Sequence, residues 1–329
     1  MESHLHFLDN PYGKTIPRMP KRLNLGSAIA EIPLSGGKIG TGTRMGLGFR
    51  HEALVYRDAG ELLAGVVPFL EEGLEAGEPA LVAVSRANTE LLRAELEATA
   101  ADVRFADMEA IGRNPARIVP LWLDFVDEHD GQPVRGVSEP IWPGRSAAEV
   151  EEWRRHEALL DVAFASSGTW SLLCAYAADA LVAVESSPPS DFFAGELNGR
   201  PRGTAGFEFD RHDLAEVRRR VEESADAAGV SPARTSDLVV AASELAANSV
   251  AHGGGAGTLR VWTEGSSLIV EFQDGGTIEN PLVGQVRPTI TQEGGRGLWL
   301  ANQLCDLVQI RSGEDGTVVR LHAARDRRA

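Results

Sequence analysis

Between Ser231 and Gly253 the sequence specifies a helix with two unequal faces. Ser231 is a favoured N-cap type, Pro232 suits the first helical position with its fixed φ, and Gly253 supplies a stop. At about 100° per residue, Glu244, Asn248 and His252 share one narrow arc. Leu238, Ala242, Leu245 and Ser249 occupy another, which can pack on a sheet. Such a helix gives a core its hydrophobic stripe while aiming a carboxylate, an amide and an imidazole together. A plain amphipathic helix with a polar outer face would read the same way. The chain beyond Gly253 separates the two readings.

Downstream, Leu268-Ile269-Val270-Glu271-Phe272-Gln273 reads as a strand and ends in Asp274-Gly275-Gly276. A polar segment, 277–293, comes next. Gly294-Gly295-Arg296-Gly297-Leu298-Trp299-Leu300 then opens another helix, and a last strand begins at Gly316-Thr317. These elements, in this order, resemble the nucleotide-binding boxes of the GHKL ATPases. The Glu244–Asn248 stretch with His252, and the run from Gly294 through Cys305 and Asp306, are most similar to the anti-sigma-factor serine/threonine kinase branch. The resemblance covers roughly 205–322.

The residue types suit ATP. Asn248 offers a carbonyl oxygen to Mg²⁺, with phosphates and waters supplying the other positions. Glu244, one turn earlier on the same face, can orient or deprotonate an attacking hydroxyl. Asp274 can accept a hydrogen bond from the adenine amine, and Gly276 lets backbone approach the base. Gly295 and Gly297, just before Leu298, leave backbone N–H groups free at a helix N-terminus, where phosphate oxygens are favoured. His252 reads equally as a phosphate contact or as a histidine at the C-terminal end of the helix dipole. The resemblance implies that Thr317 supports Asp274. The family's first glycine box commonly runs Asp-x-Gly-x-Gly; here the last position is Ile278, so a lid of different mobility is expected.

A formal charge of −16 argues against nucleic acid or an anionic membrane as the main partner. Cys174 and Cys305, far apart in apolar runs, fit neither a disulfide framework nor a metal knuckle, and read as buried free thiols of a cytoplasmic protein. No run is long enough to span a membrane.

From 51 to 185 the pattern alternates strand and helix: strands at 53–56, 79–85, 103–106, 134–138 and 171–176, with helices between them. A doubly wound parallel sheet is expected, helices on both faces, with ligands beyond the carboxyl ends of the strands. Ser85, Asp107, Glu139, Trp142 and Tyr176 sit at or just past those ends, and His51, Glu139, Trp142 and Tyr176 are assigned to a sensory pocket. This half resembles the MEDS sensory domains, His51 through Tyr56 matching their opening strand. His51-Glu52-Ala53-Leu54 recurs as His156-Glu157-Ala158-Leu159, but neither copy has the second histidine of a zincin helix, and the echo reads as chance. Before it, 1–47 reads as a disordered leader in which Gly13-Lys14-Thr15 and the His4–His6 pair are decoys.

Prolines and glycines at 186–190 and 198–203 mark a linker over 187–204. The second domain, 205–323, is expected to be an antiparallel sheet under a helical layer, followed by a short basic tail. The α/β whole then reads as a sensory domain controlling an ATP- and Mg²⁺-dependent kinase. Its implied partners are a sigma factor or a STAS-type anti-sigma-factor antagonist, a small molecule at the N-terminal domain, and a second copy in a homodimer. Two alternatives stand beside it. One is a non-catalytic binding protein whose affinity ATP sets. The other is a sensor histidine kinase, opposed because His212 would begin the first ATPase helix and leaves no room for a dimerising hairpin.

Overall fold

In the computed structural model, which describes residues 22–24, 48–165, 169–181, 192–288 and 295–326, the expected alternation builds a six-stranded sheet. Its elements are β1 (Arg22–Asn24), β2 (Phe49–Tyr56), α1 (Ala59–Glu75), β3 (Ala80–Val84), α2 (Arg86–Leu96), β4 (Val103–Asp107), α3 (Met108–Ile111), α4 (Ile118–Asp127), β5 (Val134–Ser138), α5 (Ala147–Ala163), β6 (Trp170–Ala177) and α6 (Ala178–Leu181). The strand order is β1-β2-β6-β5-β3-β4, with every pair parallel except β1 with β2. Burial on both faces explains why β3 and β5 are buried at every position. Leu54, Val82 and Leu173 face α1 and α2, whereas Ala53, Leu172 and Cys174 face α4 and α5.

The leader differs from expectation. Arg22–Asn24 pair antiparallel with Glu52–Leu54 and close the sheet edge, through backbone bonds that residue pattern does not announce. The Gly13-Lys14-Thr15 and His4–His6 decoys lie outside the described residues.

The second sheet holds β7 (Phe207–Asp210), β8 (Ala256–Glu264), β9 (Ser267–Asp274), β10 (Leu307–Gly313) and β11 (Gly316–Ala324), wholly antiparallel in the order β10-β11-β9-β8-β7. α7 (Leu214–Ala228), α8 (Pro232–His252) and α9 (Arg296–Leu304) cover one face over a core that includes Val217, Leu238, Leu245, Val270, Phe272 and Leu321. His212 lies exposed in the turn between β7 and α7, on no helical hairpin.

The other face of this sheet carries charge. Glu271, fully buried, accepts from Arg320 at 2.8 Å and from Arg200 at 2.8 Å, and Arg320 also donates to the carbonyls of Leu197 and Asn198. Part of the expected linker therefore packs here. Phe193 is buried in the second core, its carbonyl accepting from the Ser312 N–H on the β10 edge. Arg325, at the start of the basic tail, donates to the Ala228 carbonyl at 2.8 Å while its own N–H bonds the Ser266 carbonyl.

The two halves meet around β10. Glu152 of α5 accepts from Arg311 at 2.5 Å and from Gln309 at 3.2 Å. Burial pushes the Glu152 carboxyl up, and the Arg311 charge opposes this. Arg117 donates to the carbonyls of Asn302, Gln303 and Cys305 at 2.8, 2.7 and 2.7 Å, satisfying groups that the end of α9 leaves orphaned.

Candidate functional site

α8 turns as the periodicity requires: Leu238, Ala242, Leu245 and Ser249 are buried while Glu244, Asn248 and His252 face away from the core. Ser231 holds the N-cap position without a side-chain capping bond. Gly253 is needed for contact rather than for a left-handed stop. Its φ is −94°, and a Cβ there would lie 2.4 Å from the Asp274 carboxyl carbon.

A cavity of about 300 Å³ opens at this end of α8. Asn248, His252, Asp274, Gly276, Gly295, Leu298 and Thr317 all line it, together with Ile278 and Val283 from the segment after β9. Asp274 is fixed at its back. One carboxylate oxygen accepts from the Ser249 hydroxyl at 2.6 Å, and the other accepts from the Gly276 N–H at 2.9 Å. Thr317 stands opposite Asp274 in the ladder, but its hydroxyl donates to the Gly276 carbonyl at 2.8 Å and meets the Ser312 hydroxyl at 2.8 Å. The direct support of Asp274 is Ser249, which sequence reasoning placed among packing residues only. Ile278 is half-buried against the core, and its N–H donates to the Ser312 hydroxyl at 2.8 Å.

Glu244 is not part of the cavity lining but stands beside it. A Cβ at Gly297 would lie 3.0 Å from Glu244 Oε2 and 3.0 Å from Asn248 Nδ2, so the α9 N-terminus meets both side chains at once. Gly295 begins α9 in the left-handed region at φ +80°, and no side chain among the described residues caps that turn. These features fit a nucleotide triphosphate with its cation: free N–H donors for phosphate, an amide side chain beside them, and a fixed carboxylate at the apolar end. Gly276, where a Cβ would lie 2.7 Å from the His252 carbonyl, keeps that end open.

The sensory candidates separate into two groups. Glu139 lies where the strand order reverses between β3 and β5. Its carboxylate accepts from the Ser85 N–H at 2.7 Å, Tyr56 Oη at 3.1 Å and Asn88 Nδ2 at 2.8 Å. Asp107 caps α3 and bonds Arg86 at 3.2 Å. Trp142 is buried, with the Arg145 guanidinium 4.4 Å from its ring centre. His51 and Tyr176 belong together elsewhere, beneath α5 and not past the strand ends. Glu157 accepts from Tyr176 Oη at 2.6 Å and Trp153 Nε1 at 2.9 Å, and lies 3.1 Å from His51 Nε2. Cys174 Sγ is 3.2 Å from the same nitrogen. Burial and the Glu157 charge push the Cys174 thiol up to about 12.

Residues 50–186 match the model of the MEDS family, the methanogen/methylotroph DcmR sensory domain, and residues 207–323 match that of the histidine kinase-like ATPase domain. The two halves of the chain are thus similar, in turn, to a MEDS domain and to a histidine kinase-like ATPase domain. Among solved structures it is similar to the RsbU and RsbW domains of Rv1364c from Mycobacterium tuberculosis, at 21% identity and a TM-score of 0.28, over 38% of this chain and 34% of that one. No curated protein matches the chain. No helix among the described residues is long and apolar enough to cross a membrane.

Proposed function

We propose that this chain is an ATP-binding regulatory protein of the cytoplasm that acts as a serine/threonine kinase of the anti-sigma-factor type. Its proposed phosphoacceptor is an antagonist protein of the STAS type, and its N-terminal half controls it. The observation that carries the reading is the meeting of Glu244, Asn248 and Gly297 beside a cavity that Asn248 and Asp274 line.

Bound ATP with Mg²⁺ would supply the phosphoryl group. Asp274 would accept from the adenine amine, its other contacts with Ser249 and the Gly276 N–H holding it in place. Leu298 and Ile278 provide apolar wall, and Thr317 fixes the Gly276 peptide. Asn248 would hold the cation, the Gly295–Gly297 turn the phosphates, with His252 at the rim. Glu244 would take the proton of the acceptor hydroxyl.

The test is transfer of label from γ-labelled ATP to a purified antagonist, with Asn248→Ala as control. Label on a serine or threonine of the antagonist, absent with the variant, supports the kinase. ATP binding without transfer to any antagonist would leave a binding protein whose affinity ATP sets.

A further inference from the structure

His51, Glu157 and Cys174 come from β2, α5 and β6, and nothing in the ATPase reading uses them. All three are buried, at 3%, 4% and 0% exposure. One ligand atom from each lies within 4.8 Å of the others. The decisive detail is at His51 Nε2. It stands 3.1 Å from Glu157 Oε1 and 3.2 Å from Cys174 Sγ. That nitrogen can direct its one proton to Glu157 or to Cys174 but not to both, the thiol proton serving the other contact. A cation between the three atoms replaces both protons and holds all three donors.

The geometry points to a metal site of one imidazole, one thiolate and one carboxylate in the sensory half, with Zn²⁺ as the ion this donor set suits. The surroundings are those of a ligand set held in place. His51 Nδ1 lies 3.2 Å from Asp161 Oδ1, the carboxylate–histidine pairing that fixes the ring and raises its basicity. Glu157 is oriented by Trp153 Nε1 and Tyr176 Oη, at 2.9 and 2.6 Å. Phe49 stacks on the His51 ring at a centroid separation of 5.5 Å, walling the site from water. Three protein ligands leave a fourth position for water or for a small ligand with an oxygen, nitrogen or sulfur donor. Binding displaces the thiol proton to solvent and forms the metal–thiolate bond, with no change of oxidation state.

Full-length chain, stripped of metal under reducing conditions, is titrated with Co²⁺ and Zn²⁺. One equivalent of Co²⁺ should produce a thiolate-to-cobalt charge-transfer band, and one equivalent of Zn²⁺ should abolish it. Cys305→Ser should keep the band and Cys174→Ser should lose it. Asp161 is half-exposed, so Asp161→Ala preserves packing; it should bind Zn²⁺ about 10–100-fold more weakly. Should Cys174→Ser fail to fold, the band in Cys305→Ser alone assigns the thiolate. Absence of a band in the wild-type chain, or its loss in Cys305→Ser, overturns the site.

Discussion

His156 and Glu157 are neighbours on α5, yet their side chains serve different halves of the molecule. His156 Nε2 meets Gln285 Nε2 at 2.7 Å, in the segment that follows the Asp274 glycine box, while Glu157 faces His51 and Tyr176 in the sensory core. The His156 contact fixes a protonation state. Its Nδ1 is 2.7 Å from the Glu152 carbonyl and must donate, so Nε2 accepts from the Gln285 amide.

Acid should therefore weaken the junction. Burial, helped by Arg145, Arg311 and Arg155, pushes His156 down to about 4. The unfolded chain takes up the proton near pH 6.5 and the folded chain only near about 4, so this stability is complete above about 6.5 and declines as pH falls through that window. Between about pH 7.5 and about pH 5 the expected loss is roughly 2 kcal/mol. Urea denaturation at both values should show a loss roughly 2 kcal/mol larger in the wild type than in His156→Gln, which keeps the like contribution of His322, also pushed down to about 4. An equal loss in the variant would remove His156 as the cause.

The buried Glu152–Arg311 pair predicts an asymmetry. Glu152→Ala leaves the Arg311 charge with only the half-exposed Glu151 and should cost about 3 kcal/mol. Replacing both by methionine removes the orphan and should cost far less. Denaturant midpoints of the single and double variants measure the difference, and equal losses would refute the argument.

Nucleotide affinity should depend on the support of Asp274 as well as on Asp274 itself. Asp274→Ala should abolish ATP binding measured by calorimetry. Ser249→Ala removes a 2.6 Å bond to the carboxylate and should weaken binding about 10-fold, the effect of losing a hydrogen bond to a charged group. Unchanged affinity in both would move the base contact elsewhere in the cavity.

Glu244→Ala should keep ATP and lose phosphotransfer by about 10²–10⁴, since the carboxylate is proposed to act on the acceptor hydroxyl. Single-turnover rates with bound nucleotide read this directly. A fully active variant would return Glu244 to the polar outer face of α8.

Local periodicity made most of this legible. The arc of α8 needs only 3.6 residues per turn, and β3 is the unbroken apolar run Ala80–Val84. Longer-range relationships left no such trace. Ser249 carries helix spacing, and nothing beside it names Asp274, 25 residues on. His51 is 123 residues from Cys174, so knuckle spacing could not reveal the pair, and the repeated His-Glu-Ala-Leu contributes its histidine from one copy and its glutamate from the other. Arg117 reads as an ordinary surface charge until α9 arrives, 185 residues later, to need a cap.

That cap carries the last prediction. α9 presents its N-terminus to the cavity end proposed to take the phosphates and its C-terminus to the sensory half, where Arg117 holds three carbonyls and Asn114 a fourth contact at Asn302. Asn302 in turn donates to the Gly284 carbonyl at 2.9 Å, so the segment before the glycine-rich turn hangs on the same anchor. A change in the sensory half can alter nucleotide affinity through this anchor only if its two arrangements hold α9 differently. Arg117→Ala in the full-length chain removes that hold without touching the cavity. A coupling of about 1–3 kcal/mol would change the ATP dissociation constant roughly 5–150-fold. Calorimetry on wild type and variant, with near-ultraviolet circular dichroism to show that both remain folded, measures it. An unchanged dissociation constant in a folded variant would show that the Arg117 cap carries no coupling to the nucleotide site.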